Sequence, residues 1–353
     1  MGKFRASFTA IAVAMLAVAC GGGGDGGSGS VVPPPPTDVL ISAANQDMVA
    51  RAALASITPF VNVPAAPGAA PMPAVAPRGG LAQLALRSIK GGARQPAATP
   101  AGMARPLALY QETVPCTISG TMTVVLDDRD NNGTISAGDT MSLSFNQCVD
   151  DIGSTVNGGL GMAFSSYSMS PVDEDMAGSM TFQALTLVDA SGSFSMSGGF
   201  AFAIHMTETA QGTLLNGSYI VGSAGNLVVS KQGGSGGLSD TFTYRDGYSV
   251  SFSAFTSSVP GPWSETISAN GKFRSETLGG DLNLKTINPF TSNYTDATAD
   301  TFPTSGQLIT TGRSNTALGL TATGTVQVRM DMCDDGDGNW EATKMVTWDS
   351  LYQ

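Results

Sequence analysis

Between residues 127 and 139 the chain reads DDRDNNGTISAGD, a run in which oxygen-bearing side chains recur at alternate positions. Counted from Asp128, oxygen donors fall at the first (Asp128), third (Asp130), fifth (Asn132), seventh (Thr134), ninth (Ser136) and twelfth (Asp139) places, with Gly133 sixth. This is the donor spacing of a twelve-residue calcium loop. Alternate residues of a tightly curling segment point at one centre, glycine permits the sharp turn, and the seventh residue offers its backbone carbonyl. The bare alternative is a hairpin connection rich in Asx and Gly because those residues form turns. Both readings stand on the sequence alone, and millimolar calcium outside the cytoplasm favours the ion.

A second acidic run, DMCDDGDGNWEATKMVTW, sets Asp335, Asp337, Asn339 and Glu341 at alternate positions. Its register against a calcium loop fails: with Asp335 first, the sixth place holds Trp340, and with Gly338 sixth, the first place holds Cys333. An acidic turn between two strands is the expectation there, with those four residues as a weaker metal set. Cys116 and Cys148 flank the first loop and are expected to form a disulfide. Strict alternation places them on opposite faces, so the pairing requires a bulge or an irregular strand start near Pro115. Cys333 is then a free thiol, expected to be buried.

Catalytic signals are sparse. The single histidine, His205, lies in GFAFAIHMTE within a strand pattern, where packing or solvent exposure is the expectation rather than base catalysis. The VDEDM run, Val172–Met176, puts carboxylates on a predicted loop. No nucleophile elbow, zinc spacing, phosphate loop or dinucleotide fingerprint is present, and no enzyme is expected.

The elements that must carry these loops are strands. In TISGTMTVVLD, Ile118, Met122, Val124 and Leu126 alternate with threonine and serine, and TMSLSF repeats the pattern with Met141, Leu143 and Phe145. Similar runs continue to the C-terminus without helical patterns between them. A weak motif of apolar, any, Gly, any, apolar, any, apolar recurs at Ile118–Val124, Val156–Met162 and Met196–Phe202, and more loosely around Gly217, Gly271 and Gly324. The predicted fold of residues 111–353 is therefore all-β: a large antiparallel meander forming a curved sheet, barrel or sandwich.

Residues 37–110 are rich in Ala and Pro and read as a partly disordered stalk with short helices in SAANQDMVARAALASI and LAQLALRSIK, free to stand apart or to dock on the body. Residues 20–36, beginning CGGGGDGGSGS and ending in a proline run, read as a flexible and then stiffer tether. Before them, Lys3 and Arg5 precede an apolar run from Ala6 to Ala19 that is too short to span a bilayer, so residues 1–19 are a signal peptide. Its removal leaves 15 basic and 28 acidic residues, a net charge of about −13. An acidic chain without clustered Lys and Arg disfavours nucleic acid and suits cations or a basic partner.

The end of the signal peptide, Leu16-Ala17-Val18-Ala19-Cys20, resembles the lipobox of bacterial lipoproteins. The resemblance implies cleavage before Cys20, acylation of that cysteine and a lipid anchor; Gly21 in place of the aspartate retention signal points to the outer membrane. The loop at 128–139 resembles EF-hand and dockerin calcium loops over those dozen residues alone. Asp139 stands where sensor EF-hands carry glutamate, and the flanks are strand-like, so a calcium-bearing hairpin tip is implied. The whole chain resembles uncharacterised β-rich lipoproteins of Gram-negative bacteria, through its lipobox, stalk, Cys-flanked Asp/Asn/Gly loop and acidic DGDGNWE run. The expectation is a membrane-anchored envelope protein with a non-enzymatic binding or structural role. The alternative is a carrier or chaperone that holds a lipid or other apolar ligand in a curved sheet. A transmembrane barrel is disfavoured by the lipobox, the stalk and the C-terminal Leu351-Tyr352-Gln353.

Overall fold

The computed structural model describes residues 37–61, 110–149, 154–189, 192–222, 226–233, 239–257, 263–294 and 302–352. The expected signal peptide, the expected tether with Cys20 and the second helix expected in LAQLALRSIK lie outside the described residues. The fold is all-β: the described residues form a sixteen-stranded antiparallel sheet with two short α-helices and one turn of 3-10 helix.

In chain order the elements begin with helix α1 (Gln46–Val61) and strands β1 (Tyr110–Pro115), β2 (Ser119–Asp127), β3 (Thr140–Val149), β4 (Thr155–Met169), β5 (Asp173–Asp189) and β6 (Gly192–Thr209). There follow β7 (Gly212–Ile220), β8 (Leu227–Gly233), β9 (Asp240–Tyr244), β10 (Ser249–Ser257), β11 (Trp263–Ser275) and β12 (Gly280–Tyr294). The chain closes with β13 (Ser305–Thr311), β14 (Ala317–Ala322), β15 (Gln327–Cys333), β16 (Ala342–Thr347) and helix α2 (Trp348–Tyr352). Each strand pairs with its sequence neighbour except around β7 to β10. There β6 pairs with β7 along one half and with β8 along the other, while β11 does the same with β10 and β9. Thus β7 with β8, and β9 with β10, act as two long strands, each interrupted once, and the topology is a simple meander.

The interruptions belong to a line of faults that crosses the sheet. Pairing slips by a residue at Gly120 against Gln147, at Gly158 against Ala184, and at Ser197, next to Gly198, opposite Gln183 and Ala184. It breaks outright between β7 and β8 and between β9 and β10, and it slips again beside Gly271. Gly120, Gly158, Gly198 and Gly271 all have φ between 79° and 115°, and Gln147 and Ala184 have φ of 46° and 47°. At Gly158 and Gly198 a Cβ would stand 2.3 and 2.0 Å from the carbonyl oxygens of Ala184 and Asn226. At Gly120, Gly158, Gly198 and Gly271 the recurrent glycine motif therefore marks a bulge, whereas Gly217 lies in a regular ladder and Gly324 in the β14–β15 turn. Side chains replace the ladder bonds lost there: Asn157 Oδ1 accepts from the Gln147 N–H at 2.7 Å, and Thr286 Oγ1 accepts from the Ala269 N–H at 2.8 Å. Bulges bend a strand and add twist. A row of them creases the sheet along one line.

Helix α1 lies in the fold of the crease. Val49, Ala50, Ala52, Ala53, Leu54, Ser56, Ile57 and Phe60 are all buried. At about 100° per residue they cover an arc of roughly 200°, more than a helix lying on a flat sheet hides. Phe60 meets Phe200, Tyr219, Tyr244 and Tyr248 at ring-centroid distances of 5.2 to 6.0 Å, all residues beside the crease. The hydroxyls of Tyr244 and Tyr248 donate to the Ser56 carbonyl at 2.8 and 3.3 Å. The composition of residues 37–110 predicts a stalk, but residues 37–61 belong to the body and supply part of its core. Met48, on the opposite side of the helix, is exposed.

The segment before α1 is stitched to the sheet. Val39 N–H donates to the Asp281 carbonyl, Asp281 N–H to the Thr37 carbonyl, and Arg313 N–H to the Val39 carbonyl, at 2.7 to 3.1 Å. Gly280 and Gly312 permit this approach, since a Cβ at either would stand within 2.5 Å of the Thr37 or Val39 carbonyl oxygen. The buried Asp281 carboxylate faces Arg245 at 3.2 Å, Lys272 at 3.6 Å and Arg274 at 3.9 Å, and Lys272 also binds Asp38 at 2.7 Å. Three cations around one buried carboxylate compensate its desolvation and tie the strap to β9–β12. At the C-terminus, Trp348 is fully buried against Phe290 and Phe302.

One core-facing acid has no such compensation. Glu265 on β11 sits between Ala254 and Ser292 of the flanking strands, and its Oε1 has no hydrogen-bond partner among the described residues. Burial raises its carboxyl from 4.5 to about 8. The unfolded chain ionises it near the ordinary value, so between about 4.5 and 8 the unfolded state holds fewer protons than the folded one. Stability therefore falls as pH rises through that window, by up to about 1.4 kcal/mol per pH unit. Denaturant titrations at several pH values are expected to show this slope in the parent protein and its loss in Glu265→Gln; an equal slope in both proteins would remove Glu265 as the cause.

Candidate metal loop and neighbouring sites

The loop of residues 128–139 caps the hairpin formed by β2 and β3. Its closing residue is also tied to the next strand, because Gly138 N–H donates to the Phe164 carbonyl at 2.7 Å and Phe164 N–H to the Asp139 carbonyl at 2.9 Å. Ile135 packs against the hydrophobic core and anchors the middle of the loop. Asn131, Gly133 and Gly138 take positive φ, which curls the segment on itself.

The curl brings Asp128, Asp130 and Asp139 together, with one carboxylate oxygen of each within 4.8 Å of the others. Asp128 and Asp139 are buried, while Asp130 is exposed. Asp128 accepts the N–H groups of Asn132 at 3.1 Å and Gly133 at 2.7 Å. Asp139 accepts those of Arg129 at 2.9 Å and Ser136 at 2.7 Å, and Ser136 Oγ bridges Asp130 and Asp139 at 2.9 and 3.1 Å. Asn132 Oδ1 accepts from both the N–H and the hydroxyl of Thr134, each at 2.7 Å. The Ser136 hydroxyl, with help from the Asn132 amide groups, holds the Asp130 carboxyl below its ordinary range. The six side chains picked out by spacing thus form one hydrogen-bonded group around a shared acidic centre.

At the far end of the same hairpin Cys116 and Cys148 are joined by a disulfide, with their Cα atoms 5.4 Å apart. The Gly120–Gln147 bulge shifts the register of β2 against β3 and turns Cys148 toward Cys116. The same shift leaves Ile118 exposed.

In the second acidic loop, between β15 and β16, Cys333, Asp335, Asp337 and Glu341 each place a ligand atom within 4.8 Å of the others. Asn339 donates its N–H and its side-chain amide to Asp337 at 2.7 and 2.8 Å, as Asn132 does to Asp130 in the first loop. These bonds, the backbone one foremost, hold the Asp337 carboxyl below its ordinary range. Asp334 N–H donates to Glu341 at 2.9 Å, and the buried Cys333 thiol lies 4.0 Å from Asp335. All three acids of the cluster are exposed.

A third constellation is not marked by any motif. His205 on β6 is flanked across the sheet by Asp175 on β5 and Asn216 on β7. Its Nδ1 is 2.6 Å from Asp175 Oδ1 and its Nε2 is 2.9 Å from Thr207 Oγ1, whose hydroxyl donates to Asp173 at 3.0 Å. The VDEDM run is not a loop. Asp173 to Met176 begin β5, because β4 and β6 on either side are long enough to pair with them. Only the strand register, which the sequence pattern left open by a residue or more, aligns Asp175 with His205.

No helix among the described residues is long and apolar enough to cross a membrane. No protein-family model, curated protein or solved structure matches the chain.

Proposed function

We propose that the chain is a lipid-anchored protein of the outer membrane, processed and acylated at Cys20, whose β body has a non-enzymatic binding or structural role and carries a structural calcium ion in the loop of residues 128–139. The observation that carries the calcium assignment is the convergence of Asp128, Asp130 and Asp139 on one centre, two of them buried, with Asn132, Thr134 and Ser136 held around them. Like charges brought this close repel one another in water-poor surroundings, and a divalent cation relieves that repulsion. A loop at a hairpin tip with strand flanks has no helix pair to open, so the ion stiffens the hairpin and does not signal. The carrier alternative needs an open apolar groove, and the observation against it is that the hollow of the creased sheet holds α1.

Calorimetric titration of the mature protein with calcium is expected to give saturable heat and a raised unfolding temperature, both lost in Asp128→Ala with Asp130→Ala. No heat and no thermal shift in the parent protein at millimolar calcium would exclude the ion. For the anchor, membrane fractionation with fatty-acid labelling is expected to find the parent protein labelled and sedimenting with membranes. Cys20→Ser is expected to be unlabelled and released; a labelled Cys20→Ser would contradict the assignment.

A further inference from the structure

The row Asp175–His205–Asn216 stands beside a row of small residues on the same face of β5, β6 and β7. Ala177, Ala203 and Ser218 are cross-strand partners there, and Ser166 on β4 extends the row opposite Ala177. The difference in side-chain height along the two rows leaves a depression of about 400 Å³ lined by both. Its tall wall is rigid, since the imidazole is held at both nitrogens by Asp175 and Thr207. The groups facing the depression keep open hydrogen-bonding capacity: Asp175 uses only Oδ1 toward His205, and the Asn216, Ser166 and Ser218 side chains make no hydrogen bond among the described residues.

The chemistry of the lining narrows the ligand. No Lys or Arg lines the depression, which disfavours phosphates, sulfates and carboxylates. Thr207, the hydroxyl that touches His205, does not line it, and the neighbouring backbone N–H groups are committed to the sheet ladder, so neither a nucleophile nor a backbone oxyanion site faces a bound molecule. What remains is an apolar floor formed by two alanines with Met176, Ile204, Gly217 and Phe252, an acceptor in Asp175, a donor and acceptor pair in Asn216, and two hydroxyls. A six-membered polyol ring presents the complement, with an apolar C–H face and a rim of hydroxyls that donate and accept. We propose that this depression binds one residue of a neutral saccharide, so that the β body is a glycan-binding surface. The inference rests on the binding reading of the body and is independent of calcium and of the lipid anchor.

Saturation-transfer NMR and titration with the methyl glycosides of glucose, galactose, mannose and N-acetylglucosamine test it on the mature protein. At least one is expected to bind saturably. Ala203→Phe, which fills the floor, is expected to abolish that binding, and Asn216→Ala to weaken it about tenfold, the loss of one polar contact. Both variants are expected to keep the parent unfolding temperature and calcium response. No saturable binding of any of the four glycosides, or binding that survives Ala203→Phe, would overturn the proposal without touching the calcium or anchor assignments.

Discussion

The structure depends on the crease. A meander of this many strands must curl, split or flatten, and each choice has to satisfy every backbone N–H and carbonyl along the bend. Here the bend is concentrated in one line where glycines at positive φ, two strained non-glycine partners and two outright strand breaks succeed one another across neighbouring strands. Away from the line the ladders slip only at separate points, between Phe164 and Ser166 in β4 and between Asn288 and Thr291 in β12. Asn157, Asn270 and Thr286 supply the polar partners the ladder loses.

The crease also creates the problem that α1 solves. Folding a one-sided apolar sheet leaves a hollow lined by Phe200, Tyr219, Tyr244 and Tyr248, and a slim, alanine-rich helix ending in Phe60 fits it. The tyrosines bring hydroxyls into the core, and the Ser56 carbonyl near the end of the helix accepts two of them. Pro59 has no N–H to give the Ala55 carbonyl four residues before it, next to the Ser56 carbonyl that takes the two tyrosines. The strap of residues 37–41 and the Asp281 cluster then fix where the helix enters.

The all-β meander was legible because alternation of apolar and small polar residues survives through most strands. The clustering of the first loop's polar side chains was legible because its spacing is local, all six lying within a dozen residues. The glycine motif was visible, but its meaning was not: a bulge is defined by the strand opposite, as Gly158 is by Ala184, and a single strand carries no record of its partner. The docking of α1 was hidden for a related reason. A helix of Ala, Val and Ile beside proline-rich sequence has the same composition whether it stands in a stalk or fills a core. His205 illustrates the third limit, since Asp175 lies 30 residues away and meets it only through the β5–β6 register.

The acidic loop of residues 128–139, the disulfide and the depression beside His205 all lie along strands β2 to β7. The creased frame supports them as a rigid surface, and their geometry is inherited from its register. The crease is tested most directly by comparing the unfolding free energies of Gly198→Ala and Gly222→Ala. Gly198 combines φ of 87° with a carbonyl 2.0 Å from the added methyl position, whereas a Cβ at Gly222 meets nothing within 4 Å. The account predicts a loss of at least about 1–3 kcal/mol at position 198 and a change within about 0.5 kcal/mol at position 222; equal tolerance of the two substitutions would contradict it.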